Sequence, residues 1–270
     1  MWVDSHCHLA SHRFQQEEVA SLIEAAAQSG VGRLVTLATC LDDLAANLDH
    51  ARDPRVHACL GIHPCDVHHA PGNVMDVIAP HLSDPRVCAV GETGLDYFHP
   101  APDGWDEDGF RNLQRHLLEK HFELAARCGL NVVIHTRDKS GHASFEDALA
   151  IYARHADKVR AVFHCFIGPW DLAKRVIDLG GLISFGGVAT FKNAREVRET
   201  ALACPAGSFM VETDAPYLAP EPHRGKRNVP AYVRDTAEFL AGLRNESVET
   251  LAGHTTSAAL GFFRFRSDSN

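Results

Sequence analysis

His6 and His8 lie one residue apart in the run Asp4-Ser5-His6-Cys7-His8. If that run is a β-strand, residues i and i+2 share one face. Two imidazoles held side by side can then turn a ring nitrogen toward one metal ion. Such pairs also arise by chance in a chain with 18 histidines among 270 residues, so the reading depends on further ligands elsewhere. Candidates stand at the ends of other short apolar runs: His63 in Gly61-Ile62-His63-Pro64, Glu92 after Gly91, His135 before Thr136-Arg137-Asp138, His164 before Cys165-Phe166, and Asp214 in Glu212-Thr213-Asp214-Ala215-Pro216.

The elements that must position these residues form a repeating series. β-rich runs are expected at 2–8, 32–38, 56–62, 87–91, 131–135, 161–165, 182–185 and 209–212, separated by amphipathic helical stretches. Val19, Leu22, Ile23 and Ala26 before Gly30 mark one helix, and Leu117, Leu118, Phe122, Leu124 and Ala125 before Gly129 another. Strands alternating with helices imply parallel pairing. Eight such units at this length predict a single (β/α)8 TIM barrel spanning 1–270, since that fold typically needs ~250 residues. A doubly wound open sheet is the alternative, but it would usually carry a Gly-rich first turn where His6-Cys7-His8 stands.

Barrels of this kind carry their reactive residues at the C-terminal ends of the strands. Each candidate alone has a structural explanation: a hydrogen-bonded histidine, a salt-bridged or capping carboxylate, a turn cap at Asp214. Independent structural histidines have no reason to gather at one rim, so together they predict a metal site. Asp4 is read as structural, pointing inward and orienting a neighbour. A shell of histidine and carboxylate without a cysteine cluster suits Zn²⁺, Mn²⁺ or Mg²⁺. Six protein ligands drawn from these strand ends are too many for one open tetrahedral ion. Two ions sharing a carboxylate use them all.

Bulk properties narrow the class. The chain is 45% hydrophobic, enough for a large core. It has no apolar run of the ~18 residues that a membrane span needs. Met1-Trp2-Val3-Asp4 meets a charge at once, unlike a signal peptide. Eight cysteines without a Cys-x-x-Cys pair read as reduced core residues. A cytoplasmic monomer without an obligate protein partner is the expectation. The net charge of −9 argues against tracking a long nucleic-acid backbone, though not against a nuclease with local, metal-mediated contacts. The connection 99–109, rich in Pro, Gly and Asp, reads as a surface loop near the active face.

The motif set resembles the TatD family of metal-dependent deoxyribonucleases, within the amidohydrolase-like barrels. The resemblance rests on Val-Asp-Ser-His-Cys-His-Leu at 3–9, Gly-Ile-His-Pro at 61–64, Gly-Glu-Thr-Gly-Leu-Asp-Tyr at 91–97 and Ile-His-Thr-Arg-Asp at 134–138. It continues through His-Cys-Phe at 164–166, Val-Glu-Thr-Asp-Ala-Pro-Tyr-Leu-Ala-Pro at 211–220 and His-Arg-Gly-Lys-Arg-Asn at 223–228. It implies that His6, His8 and Asp214 hold one ion, that His135 and His164 hold a second, and that Glu92 bridges them. Asp214 would also orient or deprotonate the attacking water, and His63 would contact the substrate phosphate. The sequence departs from the family in a longer loop at 100–109, in Asn131 where Pro is common, and at 139–142. None of these touches an expected ligand.

The segment His223-Arg224-Gly225-Lys226-Arg227-Asn228 is a basic island in an acidic chain. Barrels commonly bind phosphate near the loops after strands seven and eight, and Arg forks suit phosphate oxygens. His223, Arg224, Lys226 and Arg137 are therefore expected substrate contacts, with the Gly186-Gly187 backbone as a further donor or a tight turn. The expected reaction is phosphodiester hydrolysis at single-stranded or frayed DNA ends by a hydroxide activated between two metals, with 3′-to-5′ polarity implied by resemblance. The alternative is an amide or ester hydrolase, including one that clears misacylated tRNA. Many such barrels bridge their metals with a modified lysine, and none of the six lysines here ends an expected strand.

Overall fold

The computed structural model describes residues 1–265; the last five residues of the expected domain, 266–270, lie outside the described residues. Eight parallel strands follow one another in chain order: β1 (Trp2–Cys7), β2 (Val31–Leu37), β3 (Val56–Leu60), β4 (Val87–Tyr97), β5 (Asn131–Asp138), β6 (Ala161–Phe163), β7 (Leu182–Phe185) and β8 (Phe209–Val211). Between them run α1 (Val19–Gln28), α2 (Leu44–His50), α3 (Val74–Ile78), α4 (Glu107–Cys128), α5 (Ala143–Ala153), α6 (Trp170–Asp178) and α7 (Arg195–Ala203). α8 (Val233–Arg244) and α9 (Val248–Phe263) follow the last strand. This is the expected (β/α)8 barrel.

Parallel strands covered by helices are buried on both faces, which is why these runs are almost continuously apolar. The outward faces pack beneath the helices in one large cluster. A second, smaller cluster joins Val3, Val35, Cys59, Ala89, Val133, Val162, Leu182 and Met210, one from each strand, to Phe262 and Phe263 of α9. Residues from all eight strands can meet only inside a barrel. The two phenylalanines of α9 therefore plug the end opposite the ligand-bearing rim. Asn131 ties that plug in place: its Nδ2 donates to the Phe262 carbonyl at 2.6 Å, while its Oδ1 accepts from the Arg160 amide at 3.1 Å. This gives the asparagine at that departure a structural role.

The barrel closes between β1 and the segment after β8. The Asp214 amide donates to the His6 carbonyl at 2.9 Å, and the His8 amide to the Ala215 carbonyl at 2.7 Å. Asp4, fully buried, accepts from the Thr213 amide at 2.8 Å and the Thr213 hydroxyl at 2.6 Å. Burial pushes its carboxyl up to about 8, against the lowering effect of those donors. Asp4 thus positions the neighbour of Asp214, the structural role expected of it.

Two elements extend further than the sequence suggested. β4 continues past Gly91 to Tyr97, paired to a lengthened β5 through Gly94–His135 and Asp96–Arg137. Gly-Glu-Thr-Gly reads as a turn, yet its glycines allow close approach of strands. A Cβ on Gly94 would lie 2.0 Å from the His135 carbonyl oxygen. The loop expected at 99–109 is shorter, because α4 starts at Glu107 with Asp106 as N-cap, its Oδ1 accepting from the Gly109 amide at 2.7 Å.

Candidate metal centre

The six expected ligands converge at the C-terminal rim, and Glu92 lies at their middle with its two oxygens turned to opposite groups. Glu92 Oε2 is 3.3 Å from His6 Nε2 and 3.4 Å from His8 Nε2. His8 Nε2 is in turn 3.5 Å from Asp214 Oδ1. Glu92 Oε1 is 2.9 Å from His164 Nε2 and 3.0 Å from His135 Nδ1, and these two nitrogens are 3.3 Å apart. The His6 and His164 rings, one from each group, stack at 3.8 Å between centroids. β1 supplies two ligands on one face, β4 places Glu92 opposite, and barrel closure brings Asp214 beside the β1 pair.

The outer nitrogens determine which ring atoms are free to bind. His8 Nδ1 donates to the Leu37 carbonyl at 3.3 Å. His135 Nε2 donates to Asp96 Oδ2 at 3.2 Å, and His164 Nδ1 to Glu212 Oε1 at 3.4 Å. Each proton on the outer nitrogen leaves a lone pair on the inner one, aimed at the centre. His63 is the reverse. Its Nδ1 accepts from the Cys65 amide at 3.1 Å, so its Nε2, 3.7 Å from Glu92 Oε1, carries the proton and faces the centre as a donor. The geometry thus separates His8, His135 and His164, each with a lone pair on its inner nitrogen, from His63, whose inner nitrogen is a donor, although the His63, Glu92 and His135 donor atoms are close enough to hold an ion.

Electrostatics agree with a cation-binding role. Burial works against ionising Glu92, yet the surrounding His164, His6 and His63 and the His135 hydrogen bond hold its carboxyl well below the usual range. Burial likewise opposes charge on Asp214, and the His8 hydrogen bond with nearby histidines outweighs it, lowering that carboxyl. His8 and His135 are raised against burial by Asp214, Asp96 and Glu92, and His164 well above its ordinary value by Glu92 and Glu212. His6 is lowered by burial and by His164. His63 is driven down to about 3, chiefly by burial, and stays neutral. Without metal, the carboxylates favour protons on His8, His135 and His164. Glu92 Oε2 is buried and accepts no hydrogen bond, a costly state for an anionic oxygen unless a cation meets it. The donor set therefore fits divalent metal ions.

Two orienting carboxylates went unassigned by sequence reasoning. Asp96 sits four residues beyond Glu92 on the same face of the extended β4, and Glu212 two before Asp214. Strand parity was the signal for Asp96. Burial raises the Asp96 carboxyl, but His135, His99 and backbone amides outweigh it and hold it far below the usual range. The Ser184 hydroxyl donates to Glu212 Oε2.

The expected substrate contacts are spread around the rim. Exposed Arg137 lies over the Phe98 ring, 4.1 Å from its centroid, and exposed Arg224 over Phe191 at 3.7 Å. His223 stacks on Tyr232 at 3.7 Å and faces Asp235 Oδ2 at 3.4 Å. Lys226 is exposed, while the neighbouring Arg227 is tied to Glu18 at 2.7 Å. Gly187 is accounted for by close packing, since a Cβ there would come 2.2 Å from the Leu218 carbonyl oxygen. No helix among the described residues is long and apolar enough to cross a membrane.

A parallel (β/α)8 barrel with histidines and carboxylates converging at its C-terminal rim, their outer nitrogens held by orienting groups, has the architecture of a metal-dependent hydrolase. Residues 3–264 match the model of the TatD related DNase family, and the chain belongs to that family. It is 38% identical over 261 residues to the uncharacterized metal-dependent hydrolase YcfH of Escherichia coli K12, covering 94% of this chain and 92% of the relative. It is 36% identical over 260 residues to the uncharacterized metal-dependent hydrolase TatD of Mycobacterium tuberculosis H37Rv, covering 95% and 96%. The crystal structure of YjjV, a TatD homologue from Escherichia coli K12, superposes with a TM-score of 0.86 at 29% identity, covering 98% of both chains.

Proposed function

We propose that the protein is a deoxyribonuclease that hydrolyses phosphodiester bonds at single-stranded or frayed DNA ends in the 3′-to-5′ direction, using two divalent ions of the Zn, Mn or Mg type. The observation that carries this reading is the split of Glu92: Oε2 faces His6 and His8, which Asp214 adjoins, while Oε1 faces His135 and His164. One carboxylate with a ligand group on each side is the arrangement that a bridged ion pair requires.

His6, His8 and Asp214 would hold one ion, His135 and His164 the other, with Glu92 between them. Ions bound there supply Lewis acidity toward a phosphoryl oxygen and acidify a bound water. Asp214, its carboxyl kept ionised among the histidines, would orient the attacking water and take its proton. The neutral His63 presents Nε2–H to a non-bridging phosphate oxygen and strengthens that bond as negative charge develops. Arg137, His223, Arg224 and Lys226 line the approach for neighbouring phosphates. The acidic total of the chain suits a short footprint and modest affinity.

The test supplies the purified protein with single-stranded DNA labelled at either end, an aminoacyl ester and a cyclic amide, each with Mg²⁺, Mn²⁺ or Zn²⁺. Release of nucleotides from the 3′ end is the expected result. DNA left intact under every metal while the ester or amide turns over replaces the nuclease reading with the amide or ester hydrolase. Release from the 5′ end reverses the polarity alone.

A further inference from the structure

We propose that Cys65, Asp96 and His99 form a separate thiolate-containing site for a thiophilic divalent cation such as Zn²⁺, beside the His/carboxylate centre. Cys65 lies in the turn 64–69 after β3, Asp96 near the end of β4, and His99 two residues past that strand. Their donor atoms all fall within 4.8 Å of one another. Cys65 Sγ is 3.7 Å from His99 Nδ1, which is 3.0 Å from Asp96 Oδ2. Sulfur and nitrogen on one tetrahedral zinc stand about 3.5 Å apart, and nitrogen and oxygen about 3.3 Å, from ordinary Zn–ligand lengths. Along these two edges, only shifts of a few tenths of an ångström separate the present arrangement from a bound one.

The site is built rather than incidental. Asp96 is buried, and its Oδ1 accepts from the Phe98 and His99 amides, each at 3.0 Å, which fixes the direction of Oδ2. Gln114 Oε1 accepts from the Asp96 amide at 3.0 Å and locks the backbone. Cys65 is half-buried and His99 exposed, so the cluster opens to solvent on the histidine side. A single nitrogen, His99 Nδ1, faces both the carboxylate and the sulfur, so one cation could meet all three donors. Three protein ligands leave a fourth position for water.

Binding balances simply. The Cys65 thiol gives its proton to solvent as the S–metal bond forms. His99 moves its proton from Nδ1 to Nε2, freeing the Nδ1 lone pair with no net change. Asp96 Oδ2 keeps the His135 Nε2–H as it takes the metal, since a carboxylate oxygen has two lone pairs. One oxygen then joins the new site to a ligand of the main centre. Excess zinc would therefore be felt at His135.

None of the six donors at the main centre is sulfur, so a thiolate-to-metal transition reports on this site alone, whatever reaction the centre performs. Metal-free protein is titrated with Co²⁺ and followed in the near ultraviolet. The expected result is a thiolate-to-cobalt charge-transfer band, bleached by Zn²⁺ and absent from Cys65→Ser with an unchanged far-ultraviolet circular dichroism spectrum. His99→Ala, a second probe should the serine variant fold poorly, should weaken Co²⁺ binding at this band about tenfold or more. No band in the wild type, a band that survives Cys65→Ser, or wild-type affinity in His99→Ala each overturns the proposal. A Cys65-dependent band in a protein that leaves DNA intact keeps this site and removes only the nuclease reading.

Discussion

Replacing Asp96 by asparagine changes little in shape but reverses the hydrogen-bond logic of His135. In the wild type, Asp96 Oδ1 accepts from two backbone amides, each at 3.0 Å, and Oδ2 accepts from His135 Nε2 at 3.2 Å. Asparagine has one acceptor oxygen, and the two amides claim it. Its NH2 group must then face His135 Nε2, so two donors meet. The ring escapes by moving its proton to Nδ1, the atom 3.0 Å from Glu92 Oε1. A protonated Nδ1 has no lone pair to give a metal. The lost charge-assisted hydrogen bond amounts to about 1.5–3 kcal/mol, or roughly a 10–100-fold loss of metal affinity on the His135–His164 side. Chelator competition at neutral pH reads this directly. Activity should fall at limiting metal and recover in part as metal is raised. Wild-type affinity together with wild-type activity at limiting metal would refute the idea that Asp96 sets the tautomer.

Three further outcomes follow from the same geometry. Asp214→Asn should keep the fold, because the backbone amide that closes the barrel is untouched, yet turnover should drop about 10²–10⁴-fold; full activity there removes Asp214 from proton transfer. His121 is buried and neutral, with Nε2 accepting from the Ile62 amide at 3.1 Å and Nδ1 donating to the Leu117 carbonyl at 2.7 Å. Burial lowers it to about 4, so between the unfolded value of 6.5 and that figure the unfolded chain binds more protons and the contribution of His121 is lost as pH falls. His121→Gln should thus be less stable than wild type at pH ~7.5, with the gap in denaturant midpoint closing by about 1.4 kcal/mol per unit below pH ~6.5; a gap independent of pH contradicts this. Gly94→Ala should cost about 3 kcal/mol or more in urea unfolding, because its φ is +145° and the added Cβ would meet the His135 carbonyl oxygen at 2.0 Å; a wild-type midpoint would show that β4 and β5 can part freely.

The eight strands were readable because each is buried on both faces and stands between amphipathic helices, which makes apolar runs with clear ends. The convergence of the histidines and carboxylates was readable because parallel barrels present those ends on one rim. What escaped was decided by contacts distant in sequence. Gly91 and Gly94 read as breakers, so β4 was expected to stop early, and Asp96 lost the strand parity that would have paired it with Glu92. Glu212 looked like any carboxylate beside Asp214 until the fold placed it against His164 and Ser184. The tautomer of His63 depends on the Cys65 amide, a local turn that no periodicity announces. The Cys65, Asp96 and His99 cluster joins residues on either side of a strand and a helix that sequence alone does not bring together.

The hydrogen bonds that close the barrel belong to the ligand residues themselves: the Asp214 amide on the His6 carbonyl, and the His8 amide on the carbonyl beside Asp214. His6 and His8 precede the carboxylate that completes their group by some two hundred residues. A nascent or truncated chain lacking β8 can present the histidines without a pocket to retain an ion. An ion held by all three side chains would therefore report that β1 and the segment after β8 have met.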